Sequence, residues 1–224
     1  MQTQSILGFE DPIDSWTHLL GALGVCVLLI RLFTRRDERR HPIPILIYGF
    51  SCIFLFTMSG VYHLLPRDIP ARYVLRILDH AGIFVLIAGT LIALHLILFS
   101  GLMKWGVIIV ASVIAALGIT FGAIYFSDIP DYMTHAIFIA FGWLGVVSIV
   151  GLWKLKKTVP AKYLIYGGVA YTVGAIIDLI NYPVIIPGVL GAHELFHFSV
   201  LMGVTFHWFL ILESIKTVQY KDRD

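Results

Sequence analysis

Seven long apolar blocks separated by short polar stretches constrain this chain more than any other feature. A segment that crosses the hydrocarbon of a bilayer needs about 20 mostly apolar residues, because each backbone N–H and C=O must be satisfied inside the segment. The blocks fall at residues 16–33, 44–65, 73–99, 102–126, 132–153, 162–186 and 191–215. Helix breakers stand between them: Pro42 with Pro44, Pro66 with Pro70, Ser100 and Gly101, Asp128 to Asp131 around Pro130, Pro160, and Pro187 with Gly188. Pro183 lies inside the sixth block and predicts a kink or an early end there. The expected fold is all-α, a seven-transmembrane helix bundle over residues 16–215, with an N-terminal segment 1–15 and a C-terminal tail 216–224.

Composition agrees: 58% of the residues are hydrophobic and 13% are charged, far from ordinary soluble usage. A net charge of +2 leaves no basic surface for nucleic acid. Cys26 and Cys52 both sit inside apolar blocks, without the C-x-x-C spacing of metal or redox sites, and read as packing residues. The first 15 residues carry Glu10, Asp11 and Asp14 but no lysine or arginine, so they lack the positive start of a cleavable signal, and the first block is expected to be retained. Thirteen lysines and arginines flank the loops after blocks one, three and five or lie in the tail, among them Arg35, Arg36, Arg39, Arg40, Lys154, Lys156 and Lys157. Arg67, Arg72 and Arg76 are the three on the other side. Because positive charge collects on cytoplasmic loops, the chain is expected to be a multi-pass protein of the cell membrane, with an extracytoplasmic N-terminus and a cytoplasmic C-terminus.

An ionisable residue in a spanning helix is costly and therefore a functional candidate. Ser59 and His63 lie late in the second block, Asp79 and His80 early in the third, and His193, Glu194 and His197 at the start of the seventh. The end of an even span and the start of an odd one share a membrane face, so the topology alone brings these places together. Ser59 with His63, and His193 with His197, are i, i+4 pairs that stack on one side of a helix. Three imidazoles with a nearby carboxylate match a zinc site in which three protein ligands leave a fourth position for water. His63, His193 and His197 are the expected ligands. Asp79 is the expected base or water holder, and Ser59 a hydrogen-bond donor to that water or to a substrate carbonyl.

The remaining histidines carry blander readings. His95, His135 and His207 are expected to hydrogen-bond across to neighbouring helices. His18 stands open between a support of the metal site and an interface residue. The run from His193 to His197 also reads as H-E-x-x-H, in which Glu194 would be the base, but no further ligand follows downstream while His63 supplies one upstream. Asp178, inside the sixth block, either pairs with a histidine or faces a water-filled cavity.

The stretches Ser59-Gly60-Val61-Tyr62-His63, Arg76 to Phe84, and His193 to His197 resemble the hemolysin III family, and the likeness runs from Ser15-Trp16-Thr17-His18 to the last block. That family stands with the progestin and adipoQ receptors and, more remotely, the alkaline ceramidases. The resemblance implies seven helices, a zinc held by His63, His193 and His197 with Asp79 and Ser59 beside it, and hydrolysis of lipid amides. Where relatives tend to have Tyr-Thr-Pro this chain has Leu91-Ile92-Ala93, and Asp178 stands where an aromatic pair is usual. Three functions follow in order: a zinc-dependent hydrolase whose lipid amide enters from the membrane, a non-enzymatic sensor or regulator of membrane lipids with structural zinc, and last a cytolytic pore, for which no amphipathic insertion segment is visible.

Overall fold

The structure, a computed structural model, describes residues 8–34, 41–156 and 158–221. Arg35, Arg36, Arg39, Arg40 and Lys157 of the charge count lie outside the described residues, as do residues 1–7 and 222–224. Helices run in the order α1 (Pro12–Thr34), α2 (Pro42–Leu64), α3 (Pro70–Leu98), α4 (Gly101–Ile124), α5 (Asp131–Gly142), α6 (Gly145–Lys154), α7 (Thr158–Ile180) and α8 (Ala192–Lys221). They make seven membrane-length spans, with α5 and α6 as the two halves of the fifth.

Local chemistry sets the ends. Pro42 and Pro70 begin α2 and α3, where a missing N–H costs nothing and a fixed φ favours the helix. The sixth span stops at Ile180, three residues before Pro183 and short of the expected residue 186. Asn181 then takes a left-handed φ of 51°, and a turn closes where the N–H groups of Ile185 and Ile186 donate to the Leu190 carbonyl. The fifth span was expected to be continuous, but it breaks at Trp143 and Leu144. Gly142 and Gly145 flank the break, and glycine is the residue that holds a helix least firmly.

Packing couples α1 to α2, α2 to α3, α3 to α4 and α7 to α8, while α8 also touches α1 and α3. The buried core holds Tyr48, Phe56, Leu94, Leu210 and Ile211. Close approach of α2 and α3 depends on Gly82: a Cβ there would stand 2.9 Å from the Leu55 Cα. Outward positions such as Leu102, Ile109 and Phe121 of α4 are large, apolar and exposed, as lipid contact requires. His95 behaves as expected of a helix-pairing residue, with Nδ1 2.8 Å from the Met103 carbonyl and Nε2 2.8 Å from Ser148 Oγ, so it ties α3 to α4 and α6.

Candidate metal centre

The last turn of α2 and the first two turns of α8 put His63, His193 and His197 at one depth, as the topology required. The first turn of α1 adds Asp14. One donor atom from each of these four side chains lies within 4.8 Å of all the others. Asp14, His63 and His197 are at most 3% exposed. The result is a buried group of three imidazoles and a carboxylate that could hold a metal ion.

The hydrogen bonds around the group show which atoms face inward. His63 Nδ1 donates to Asp11 Oδ2 at 3.1 Å, and His193 Nδ1 donates to Asp178 Oδ1 at 2.9 Å. A carboxylate accepts, so each imidazole carries a proton on Nδ1 and turns its Nε2 toward the centre. Those two Nε2 atoms are 3.3 Å apart. Two lone pairs at that distance repel, so the pair is held either by a proton on one nitrogen or by a cation between them. Ligands at about 2.0–2.1 Å from one tetrahedral ion are about 3.3–3.4 Å apart, so the spacing fits such an ion. Carboxylate behind histidine is also the usual support of a metal ligand. Asp14 Oδ1 and His197 Nδ1, 3.7 Å apart, are buried without a hydrogen-bond partner among the described residues, a costly state that coordination would relieve.

Each supporting carboxylate is itself held. Asp11, just ahead of α1, pairs with Arg67 Nη2 at 3.1 Å and with Arg72, while its backbone N–H donates to the His63 carbonyl at 3.0 Å. Arg72 also donates to the Leu65 carbonyl and lies over the Tyr62 ring, 4.7 Å from its centre. Glu10 pairs with Arg67 at 2.8 Å. Asp178 Oδ2 accepts from His135 Nε2 at 2.9 Å, so this one carboxylate joins α5 to α8. His135 was expected to be a helix-pairing residue, and Asp178 to pair with a histidine or face a cavity. The structure gives Asp178 two histidines and a place on a cavity wall.

That cavity holds about 400 Å³ between α2, α3, α5, α6, α7 and α8, with His18 of α1 at its edge, and His193 and His197 form part of its wall. Ser59 and Asp79 lie side by side on the wall near the histidines. Trp143, Val146, Val169 and Val173 border the cavity and are also exposed, which puts its mouth on the flank between the fifth and sixth spans, beside the break at Trp143. Asp79 is not among the four clustered donors. Glu194 turns away: its Oε2 accepts from the Gly191 N–H at 2.7 Å and caps the start of α8. His18 stacks on His197 with ring centres 3.9 Å apart, and neither of its nitrogens has a hydrogen-bond partner among the described residues.

Sequence reasoning missed Asp14 and Asp11, which it left in an extramembrane segment. The available signal was spacing: Asp14 and His18 are themselves an i, i+4 pair.

The family model for Haemolysin-III related proteins matches residues 9–208. "Hemolysin-3" of Bacillus cereus is 28% identical over 206 residues, covering 91% of this chain and 90% of that protein. The "Hemolysin-3 homolog" of Bacillus subtilis is 26% identical over 170 residues, 75% of this chain and 79% of the relative. The yeast "ADIPOR-like receptor IZH2" of Saccharomyces cerevisiae is 25% identical over 244 aligned positions, 95% of this chain and 74% of the receptor.

Proposed function

Since the chain belongs to the Haemolysin-III related family, we propose that it is a membrane-embedded, zinc-dependent hydrolase of lipid amides. One observation carries this: an apolar cavity, open on the lipid-facing flank, ends at the buried His/Asp group with Ser59 and Asp79 beside it. Imidazole and carboxylate donors suit zinc, and no cysteine stands near to draw a softer ion. A zinc ion would supply Lewis acidity and a water acidified to near neutral pH, with a pKa of about 7.

The chain's own side chains divide the remaining work. His63, His193 and His197 would hold the ion, and Asp11 and Asp178 fix two of those rings. Asp14 compensates the positive charge from the α1 side. Asp79 takes the proton of the attacking water and returns it to the departing amine, and Ser59 donates to the amide carbonyl. The acyl chain lies in the cavity, which excludes bulk water. On the charge bias, the centre sits at the extracytoplasmic face of the cell membrane, on the side of Arg67, Arg72 and Arg76.

A second reading is favoured by Asp14. Three imidazoles and a carboxylate fill a tetrahedral shell, which is the closed pattern of structural zinc and suits a sensor of membrane lipids without turnover. Metal analysis of the purified protein, together with release of fatty acid from a long-chain ceramide, separates the two. The hydrolase reading expects about one zinc per chain and turnover; Asp79→Asn should keep the zinc and lose activity on the order of 10²–10⁴-fold, while His63→Ala and His193→Ala lose both. Stoichiometric zinc with no turnover in the wild type establishes the structural reading, and absence of metal overturns both.

A further inference from the structure

The connection between α7 and α8, residues 181–191, carries no charged residue. The two other connections at this end of the bundle do: Arg67 and Asp68 stand between α2 and α3, and Asp128 between α4 and α5. In place of charge, the α7–α8 connection offers large apolar side chains to its surroundings. Tyr182 is 68% exposed, Ile185 54% and Ile186 50%, with Val184 and Val189 exposed as well. A loop made for water has no use for such a composition, and a contiguous apolar patch marks a contact.

Two features say what covers the patch. The first is continuity with a lipid-facing surface. Tyr166, Val169, Val173, Ile176 and Ile180 of α7 are exposed at i, i+3 or i+4 spacing, a single stripe along the helix that leads directly into Tyr182. The second is a backbone that satisfies itself. Pro183 and Pro187 have no N–H. The N–H groups of Asn181 and Tyr182 donate back to the last turn of α7, those of Ile185 and Ile186 to the Leu190 carbonyl, those of Val189 and Leu190 to the Ile186 carbonyl, and that of Gly191 forward to Glu194. In water such groups have solvent as a partner. At the edge of hydrocarbon they do not, and irregular backbone there has to close on itself.

We propose that residues 182–190 form a wedge seated in the headgroup region of the leaflet nearest the metal centre, with the side chains of Tyr182, Ile185 and Ile186 reaching the acyl chains. The partner is the lipid bilayer itself. Tyr182 suits the boundary, since its ring is apolar and its hydroxyl reaches water or headgroups. The wedge joins the ends of two helices whose side chains meet at the centre, Asp178 of α7 and His193 of α8, 2.9 Å apart. It also prolongs the stripe on which Val169 and Val173 border the cavity mouth. The assignment rests on the placement of the spans in the bilayer and not on the metal chemistry.

The test attaches one fluorophore at a time to the full chain, with Cys26 and Cys52 replaced by alanine, through Ile185→Cys, Tyr182→Cys or, for comparison, Asp128→Cys in a connection that shares the same membrane face. In phosphatidylcholine vesicles the first two labels are expected to be quenched by lipid brominated high on its acyl chains, about 5–10 Å below the headgroups, and to be at least about fivefold less sensitive to aqueous iodide than the Asp128→Cys label. Iodide quenching that is equal at the three positions overturns the proposal. So does protection of the Ile185→Cys and Tyr182→Cys labels from both quenchers, which would show a protein surface in place of lipid. An unfolding transition like that of the wild type reports that a labelled protein is folded, and either of the two positions suffices if the other fails to fold. Since zinc content and amide hydrolysis do not enter the measurement, its failure is separate from failure of the hydrolase reading.

Discussion

Asp178 shows how a residue can shape a site without being one of its clustered donors. Its two oxygens are divided between His193 and His135, so it sets the tautomer and the angle of one expected ligand while anchoring α5. Asp178→Ala is expected to weaken zinc binding about 10–100-fold, the usual loss when a ligand's supporting carboxylate is removed. Competition with a chromogenic chelator measures it, and unchanged affinity would show that His193 orients itself. How much of the site was legible follows from the kind of spacing each residue uses. His63, His193 and His197 could be brought together from i, i+4 pairs and the alternation of spans. Asp14 could not be placed while its segment was taken to lie outside the bundle, although α1 begins at Pro12. The partners of Asp178 depend on how the sixth span is rotated about its axis, and a uniformly apolar helix gives no stripe from which to read that.

At the scale of the helix, glycine has opposite uses in two spans. In α3, Gly82 lets the helix close on α2, and the Leu55 backbone it faces cannot move aside as a side chain would. Gly82→Val should lower stability by about 1–3 kcal/mol and part Asp79 from Ser59. In the fifth span, apart from the adjoining backbone, nothing among the described residues lies within 4 Å of the place a Cβ would take at Gly142. Gly142→Ala should therefore be neutral or raise stability by up to about 1 kcal/mol, because alanine holds a helix better. Thermal unfolding in one detergent checks both, and a destabilised Gly142→Ala would mean that the break is itself needed for packing. The break was not legible because the sequence there is as apolar as any span. The early end at Ile180 was legible, since Pro183 and Asn181 announce it.

Across the whole molecule, charge and metal make separate predictions. The three arginines on the sparsely charged face all meet acids: Arg67 and Arg72 pair with Asp11, and Arg76 lies 3.7 Å from Asp131. Their charge is offset locally, so on the proposed orientation the lysines and arginines of the other face carry the insertion bias. A C-terminal alkaline phosphatase fusion, active only outside the cytoplasm, should be inactive, and a C-terminal fluorescent fusion bright; the reverse pattern would overturn the proposed orientation. Metal should act on the fold as a ligand acts on any native state. Free zinc at about 1,000 times its dissociation constant adds roughly 4 kcal/mol to the wild type, visible as a raised unfolding temperature, and His63→Ala should not respond. A wild type indifferent to zinc would show that the cluster does not join its helices through an ion.

The four clustered donors come from the opening two spans and the closing one, with four others between them in chain order. A chain still leaving the ribosome therefore carries Asp14 and His63 into the bilayer long before His193 and His197 exist. The cluster is therefore complete only when the last span is in place, and a protein truncated before Ala192 would insert most of its length yet lack two of the four donors.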